Sequence, residues 1–113
     1  MVLMIQPIYD ALRDIKTSDS HVILLSPGGV LFKEKCAKLL KEYKHLILIC
    51  GHYEGFDDRI KNIIDEEISI GEFVLSGGEL PAMVVTDAVV RLVEGVISKE
   101  SLESESFDQE LLD

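Results

Sequence analysis

The chain has 113 residues, 47% of them hydrophobic, and its formal net charge is −10 at pH 7. This length is enough for one domain with a buried core. No apolar run reaches the roughly 20 residues that a membrane-spanning helix needs, and the opening segment MVLMIQP lacks the basic region of a signal peptide. The acidic balance argues against a surface that binds nucleic acid over its whole extent. We therefore expect a cytoplasmic domain with no membrane segment.

Helical and strand patterns alternate along the first half of the sequence. Pro7 stands near the start of a helical pattern, and residues 21–25 form an apolar run typical of a buried strand. This run ends in Ser-Pro-Gly-Gly at 26–29, a strong turn signal. Residues 31–44 then predict a helix with one apolar and one lysine-rich face. The lysines indicate either an ordinary solvated surface or a contact with RNA.

The second half continues the alternation. Residues 46–50 are apolar without interruption, which is typical of a strand in a parallel sheet covered on both faces. A short helix is predicted with its isoleucines, among them Ile60, inward. A strand pattern returns over 68–75, interrupted at Gly71, and Phe73, Val74 and Leu75 are expected to form a brief buried strand.

The most apolar helix is predicted from Pro81 to about Val93. Apolar residues cover most of its circumference, and a chain of this length cannot bury such a helix alone, so we expect a homodimer. Asp87 and Arg91 lie four residues apart on one face and can simply pair with each other. Residues 98–113 are rich in Ser, Glu and Asp and resemble a linker or tail.

Taken together, these elements predict an α/β fold with a parallel sheet flanked by helices. Three glycine-containing loops, at 26–29, 51–55 and 76–78, follow strands, and ligands of such sheets bind at the carboxyl ends of the strands. A strand, two glycines and a helix start can hold a small polar or anionic ligand through backbone amides. The same pattern also suits a purely structural turn. The residues alone predict a small dimeric domain that binds a small ligand.

Three segments resemble, in order and spacing, the bacterial tRNA (guanine-N1)-methyltransferase family TrmD of the SPOUT superfamily. They are LSPGG at 25–29, LILICGHYEGFDDR at 46–59 and DEEISIGEFVLSGGELPAMVVTDAVVR at 65–91. The resemblance runs from MVLMIQP to SFDQELLD. It implies a sheet whose C-terminal part is tied in a deep trefoil knot, which periodicity does not predict. It also implies a catalytic core over 1–97 and an interdomain linker over 98–113.

The resemblance implies that S-adenosylmethionine is the cofactor, held bent among the three loops largely by backbone groups. Family members also tend to need Mg²⁺, although no clear set of metal ligands is evident in this sequence. The residues that match the cofactor-binding positions of the family are Leu25, Ser26, Pro27, Gly51, Tyr53, Glu54, Ile70, Gly71, Phe73, Leu75, Gly77, Gly78 and Pro81.

The implied reaction is methyl transfer to N1 of the guanosine that follows the anticodon in tRNA, at a site shared between two subunits. The family's stabilising arginine matches Arg91. Its catalytic aspartate matches Glu105, which keeps the carboxylate but adds one methylene. Glu105 can alternatively be one more acid in a solvated tail. His52 stands where the family commonly has arginine.

Family members carry further segments before MVLMIQP and after LLD, so we expect this sequence to correspond to a core truncated at both ends. A methyltransferase or its catalytic core is the first interpretation. The alternatives are a dimeric remnant that binds S-adenosylmethionine without transferring its methyl group, and a SPOUT member that acts on a different RNA.

Overall fold

The computed structural model describes residues 5–51, 57–93 and 95–96. Its elements, in chain order, are α1 (Ile5–Ile15), β1 (Ser20–Leu31), α2 (Glu34–Leu40), β2 (His45–Ile49), a 3₁₀ helix (Asp58–Asn62), β3 (Glu66–Ser69) and α3 (Glu79–Val90). The lysine-rich helix is shorter than its pattern predicted, because the backbone of Lys33 is still extended and Lys41 already caps the last turn.

The strands form a parallel sheet in the order β2-β1-β3, so β1 is the central strand. Residues 22–25 of β1 are almost fully buried. A central strand of a parallel sheet is covered on both faces, which explains its continuous apolar run. The predicted α/β class with a parallel sheet is confirmed.

Alternate residues of β1 enter two separate cores on opposite faces of the sheet. Ile23 and Leu25 pack with α2 and α3, where Val85 is among the most deeply buried side chains. Val22 and Leu24 belong to the other core, which includes residues of α1, β2 and the 3₁₀ helix, among them the fully buried Ile60. Helical elements therefore cover both faces of the sheet, and the inward position of Ile60 is confirmed.

Helix α3 is apolar on two sides but buried on only one. Pro81, Val85 and Val89 face the core. The opposite surface exposes large apolar side chains, including Leu80 at 60% and Met83 at 66% of their maximum. One chain therefore leaves part of the apolar circumference of α3 uncovered, as the sequence predicted. No helix in the described part of the chain is long and apolar enough to cross a membrane.

The predicted turn at residues 26–29 is wrong in form. These residues stay extended and belong to β1, but their pairing with β3 is interrupted. Leu25 and Val30 both lie opposite Ile68, so the segment between them bulges out of the ladder. Glycine and proline weakened the pairing without reversing the chain, because contacts with β3 hold the segment in place.

The predicted brief strand over Phe73, Val74 and Leu75 is also wrong. Strand β3 ends at Ser69, and Phe73 and Val74 are 52% and 71% exposed. The Ser69 hydroxyl donates to the carbonyl oxygen of Gly71 at 2.9 Å and accepts the Gly71 N–H at 3.2 Å. These two hydrogen bonds turn the chain away from the sheet at Gly71, before Phe73, Val74 and Leu75.

Candidate functional site

The candidate site lies where the three strands end. The bulge of residues 26–29, the segment after β2 and the segment after β3 meet at this edge of the sheet. Parallel strands bring their carboxyl ends to the same edge, and ligands of α/β sheets bind there.

A narrow cleft brings the first and third of these segments together. Its predicted lining residues are Ser26, Pro27, Ile70, Gly71, Phe73, Leu75 and Pro81, and the structure adds Ile68 and Ser69. Leu25, which was also predicted to bind the cofactor, has its side chain in the hydrophobic core instead. The lining carries no charged side chain, so a ligand meets backbone groups and apolar surfaces, as expected for the nucleoside part of a cofactor.

The free space in the cleft is about 10 Å³, room for about one water molecule. A ligand as large as a nucleoside therefore fits only when lining side chains move. The ring of Phe73 is the candidate, because it is half exposed and packs directly against Gly71. Side chains at such surfaces change rotamer readily.

The second and third segments are joined through backbone atoms at Gly78. The Gly78 N–H donates to the carbonyl oxygen of Gly51 at 2.8 Å. A Cβ at position 78 would lie 2.9 Å from the Cα of Cys50 and 3.1 Å from the nitrogen of Gly51, so only glycine permits this approach. Gly77 is buried beside it. The predicted glycines Gly51, Gly77 and Gly78 therefore build the junction rather than line the cleft.

The Cys50 thiol stands next to this junction. Burial, and to a lesser degree the negative charge of Glu79, raise the pKa of the Cys50 thiol. A thiol with a raised pKa stays protonated near neutral pH and is a poor nucleophile. The electrostatics of the edge therefore give no support to nucleophilic catalysis by this cysteine.

Arg91 lies away from the cleft, at the C-terminal end of α3, whose first turn contains Pro81. Ten residues of α helix separate the two along about 15 Å. Arg91 lines a shallow groove of about 670 Å³ together with Met83, Asp87 and other residues of α3 and the following turn. Within one chain, the predicted cofactor residues and the predicted stabilising arginine therefore do not share a pocket.

The remaining predicted site residues, Tyr53, Glu54 and Glu105, lie outside the described residues. Among those described, no three His, Cys, Asp or Glu side chains come together as in a site built wholly from protein ligands.

Two polar residues that hold the site together were missed from the sequence. Ser69 fixes the turn at Gly71, and the Glu67 carboxylate accepts a hydrogen bond from the Ser26 hydroxyl. Both lie on one face of β3, two residues apart. The signal available in the sequence was this polar alternation at the end of an otherwise short strand.

Known proteins resemble the chain over its whole length. The family model described as tRNA (Guanine-1)-methyltransferase TrmD matches residues 1–113. A tRNA (guanine-N(1)-)-methyltransferase of Malacoplasma penetrans (strain HF-2) is 58% identical over 113 residues, 100% of this chain and 50% of the relative. Proteins with the same name from Ureaplasma urealyticum serovar 10 and Dictyoglomus turgidum are each 57% identical over 114 residues, 50% and 46% of their lengths.

The chain thus spans about half the length of the curated relatives it matches. The matched residues, 1–113, include those that build the cleft and its glycine junction. The full-length match to the family model and the identities above show that the chain belongs to the TrmD family of tRNA (guanine-1)-methyltransferases.

Proposed function

We propose that this chain forms the cofactor-binding and catalytic core of an enzyme that transfers a methyl group from S-adenosylmethionine to N1 of the guanosine following the anticodon in tRNA. The main support is the cleft at the ends of the strands, which is lined by residues matching the cofactor positions of the family. The names of the relatives support the same reaction class.

The chemistry of the cleft suits this cofactor. Ser26, Pro27, Gly71 and Leu75 offer backbone groups and apolar surface, and Phe73 offers an aromatic ring against which a purine can pack. When bound, S-adenosylmethionine supplies an electrophilic methyl group. Gly51, Gly77 and Gly78 keep the backbone of two loops in contact, while Tyr53 and Glu54 complete the set by their match to the family.

Side chains of the protein accept the proton from guanine N1 and stabilise the negative charge on O6. N1 of guanine carries a proton at neutral pH, so a base has to accept it as the methyl group arrives. The Glu105 carboxylate accepts this proton. The Arg91 guanidinium stabilises the negative charge that develops on O6. The pairing of Arg91 with Asp87 on the same helix remains the simpler alternative for this side chain.

We further propose that two copies of the chain associate through α3. Leu80, Met83, Val84 and Val90 are all exposed on this helix, and an exposed apolar surface of this kind marks an interface. Arg91 borders the same surface. A second copy seated there brings its own residues to Arg91, which fits a site shared between subunits. The trefoil knot of the family remains a prediction.

Two measurements test the function. Calorimetric titration of the intact protein with S-adenosylhomocysteine is expected to show saturable binding at one site per subunit. Incubation with S-adenosylmethionine and an unmodified tRNA transcript is expected to give one methyl group per tRNA. A transcript with adenosine in place of the target guanosine serves as the control. Absence of binding overturns the proposal, and binding without methylation identifies a cofactor-binding remnant instead.

The role of Glu105 is tested by Glu105→Gln, which keeps the size of the side chain but cannot accept the proton. We expect turnover to fall at least about 100-fold, within the range that general base catalysis contributes, while binding of S-adenosylhomocysteine stays unchanged. Glu103→Gln, which alters a neighbouring acid of the same tail, is the matched control. Equal turnover in Glu105→Gln and wild type would remove the assignment.

A further inference from the structure

The carboxylate of Glu67 makes a connection between two strands beside the cleft. Glu67 lies on β3, and its Oε2 accepts a hydrogen bond from the hydroxyl of Ser26, which is only 6% exposed. Glu67 itself does not line the cleft, whereas Ser26 and Pro27 do. Its effect on a ligand would therefore pass through the Ser26–Gly29 segment.

The hydrogen-bonding capacity of Ser26 is used within the protein. A serine hydroxyl has one proton to donate, and here that proton goes to Glu67. The same oxygen accepts the N–H of Gly28 at 3.1 Å. Ser26 therefore has no hydroxyl proton left for a ligand. Ser26 instead links the Glu67 carboxylate to the backbone of the bulge, because its hydroxyl bonds to Glu67 on one side and to the Gly28 N–H on the other.

The other end of the bulge also rests on Glu67. A Cβ added to Gly29 would lie 2.6 Å from the carbonyl carbon and oxygen of Glu67 and from the nitrogen of Ile68. The backbone at Gly29 thus presses against the backbone at Glu67. One residue of β3 therefore holds the segment at its start through a side chain and at its end through the main chain.

We propose that Glu67 is a positioning residue that holds the Ser26–Gly29 segment in the shape that binds the cofactor. This inference rests on the proposed function, because it takes the cleft to be the cofactor site. A backbone-built pocket binds well only when its backbone is fixed beforehand, since ordering a loose segment costs free energy at the moment of binding.

The neighbouring Glu66 provides a matched control. It lies on the same strand and its Oε2 also bonds to a side chain of β1, the ring nitrogen Nε2 of His21. Its partner, however, is at the opposite end of β1 from the bulge and does not line the cleft. Glu66→Leu and Glu67→Leu each remove one carboxylate and one link between strands, so they differ mainly in their relation to the cleft.

The test is calorimetric titration of the intact protein with S-adenosylhomocysteine, with the melting temperature of each variant measured in parallel. Glu67→Leu is expected to weaken binding about tenfold or more, as for loss of a hydrogen bond to a charged group. Glu67→Gln is expected to restore most of the affinity, because its amide oxygen can still accept the Ser26 proton. Glu66→Leu is expected to bind as wild type does.

Ser26→Ala removes the donor without changing the charge and serves also if Glu67→Leu does not fold. It is expected to weaken binding to a similar extent, and the Ser26→Ala/Glu67→Gln double variant is expected to be no weaker than Ser26→Ala alone. If wild type binds but Ser26→Ala and Glu67→Leu bind no more weakly than Glu66→Leu, the positioning role is overturned. If wild type does not bind, the proposed function itself fails.

Discussion

The close approach of Gly29 to β3 gives a prediction whose size follows from geometry. Gly29→Ala would place a Cβ 2.6 Å from three backbone atoms, the carbonyl carbon and oxygen of Glu67 and the nitrogen of Ile68. Ordinary contacts of a Cβ begin near 3.4 Å. The two strands therefore have to separate by up to roughly 0.8 Å at this point, against the pairing of Val30 and Leu31 with β3 directly after it.

Overpacking of this kind costs typically about 1–3 kcal/mol. The entropy of unfolding scales with chain length at about 2.1 cal/mol/K per residue, so for a chain of 113 residues each kcal/mol lowers the melting temperature by about 4 °C. We therefore expect Gly29→Ala to melt about 4–13 °C below wild type. Because Pro27 and Ser26 belong to the same segment, cofactor affinity should fall as well.

The adjacent glycine supplies the control. A Cβ on Gly28 would meet only the side-chain oxygens of Glu67 and Ser26, at 3.6 and 3.8 Å, which are ordinary contacts. Gly28→Ala is thus expected to melt at or slightly above the wild-type temperature, because alanine restricts the unfolded chain. Differential scanning calorimetry compares the three proteins. Equal melting temperatures for the two alanine variants would refute the argument from the close approach of Gly29.

Three further predictions concern other parts of the molecule. Ser69→Ala removes both hydrogen bonds to Gly71, so we expect a loss of about 1–3 kcal/mol in unfolding experiments and weaker binding of S-adenosylhomocysteine. Hydrogen bonds from Arg59 lower the pKa of Asp57 to about 2. The resulting stabilisation is present above the unfolded pKa of about 3.9 and is lost as the pH falls through about 2. Arg59→Leu removes the side-chain hydrogen bonds, which are the larger cause, but keeps the backbone N–H that donates to Asp57. It should therefore raise the pKa of Asp57 part of the way to its ordinary value in an NMR titration and reduce that pH dependence. Met83→Glu should shift the protein from dimer to monomer in analytical ultracentrifugation and lower its melting temperature, because association stabilises the folded state. Ile15→Glu on α1, where the apolar side chain is also exposed, should leave the dimer intact.

The hydrophobic patterns of the sequence correctly predicted strands and helices whose form depends on neighbouring residues in the chain. The uninterrupted apolar run before Cys50 became β2, and the apolar face of the last helix became α3. The errors lie where tertiary contacts decide. Ser-Pro-Gly-Gly has a strong local preference for a turn, but in the folded chain Glu67 holds it in an extended bulge. A sequence pattern contains no information on which distant carboxylate will reach a given serine.

The sequence predicted the loops of the candidate site but not the residues that hold these loops in place. A glycine such as Gly78 indicates that another part of the chain or a ligand lies close to the backbone. In the structure, the close neighbours of Gly78 are Gly51 and Cys50. For Glu67 and Ser69 the sequence offers only the polar alternation of a short strand, which is a weak signal because polar residues in such a strand are usually solvated. The contacts of these two residues depend on the pairing of β3 with β1, which places Glu67 beside Ser26 and Ser69 beside the turn at Gly71.

Helix α3 connects the two parts of the proposed reaction. Its first turn contributes Pro81 to the cleft, and its last residues lead to Arg91 about 15 Å away, beside an exposed apolar surface. Transfer requires the reacting atoms to lie about 3 Å apart, and the cleft and Arg91 of one chain do not share a pocket. A second copy packed on α3 can bring its own Arg91 to the first copy's cleft. Dimerisation would therefore be a requirement for turnover but not for cofactor binding, and Met83→Glu should separate the two by abolishing methyl transfer while leaving affinity for S-adenosylhomocysteine intact.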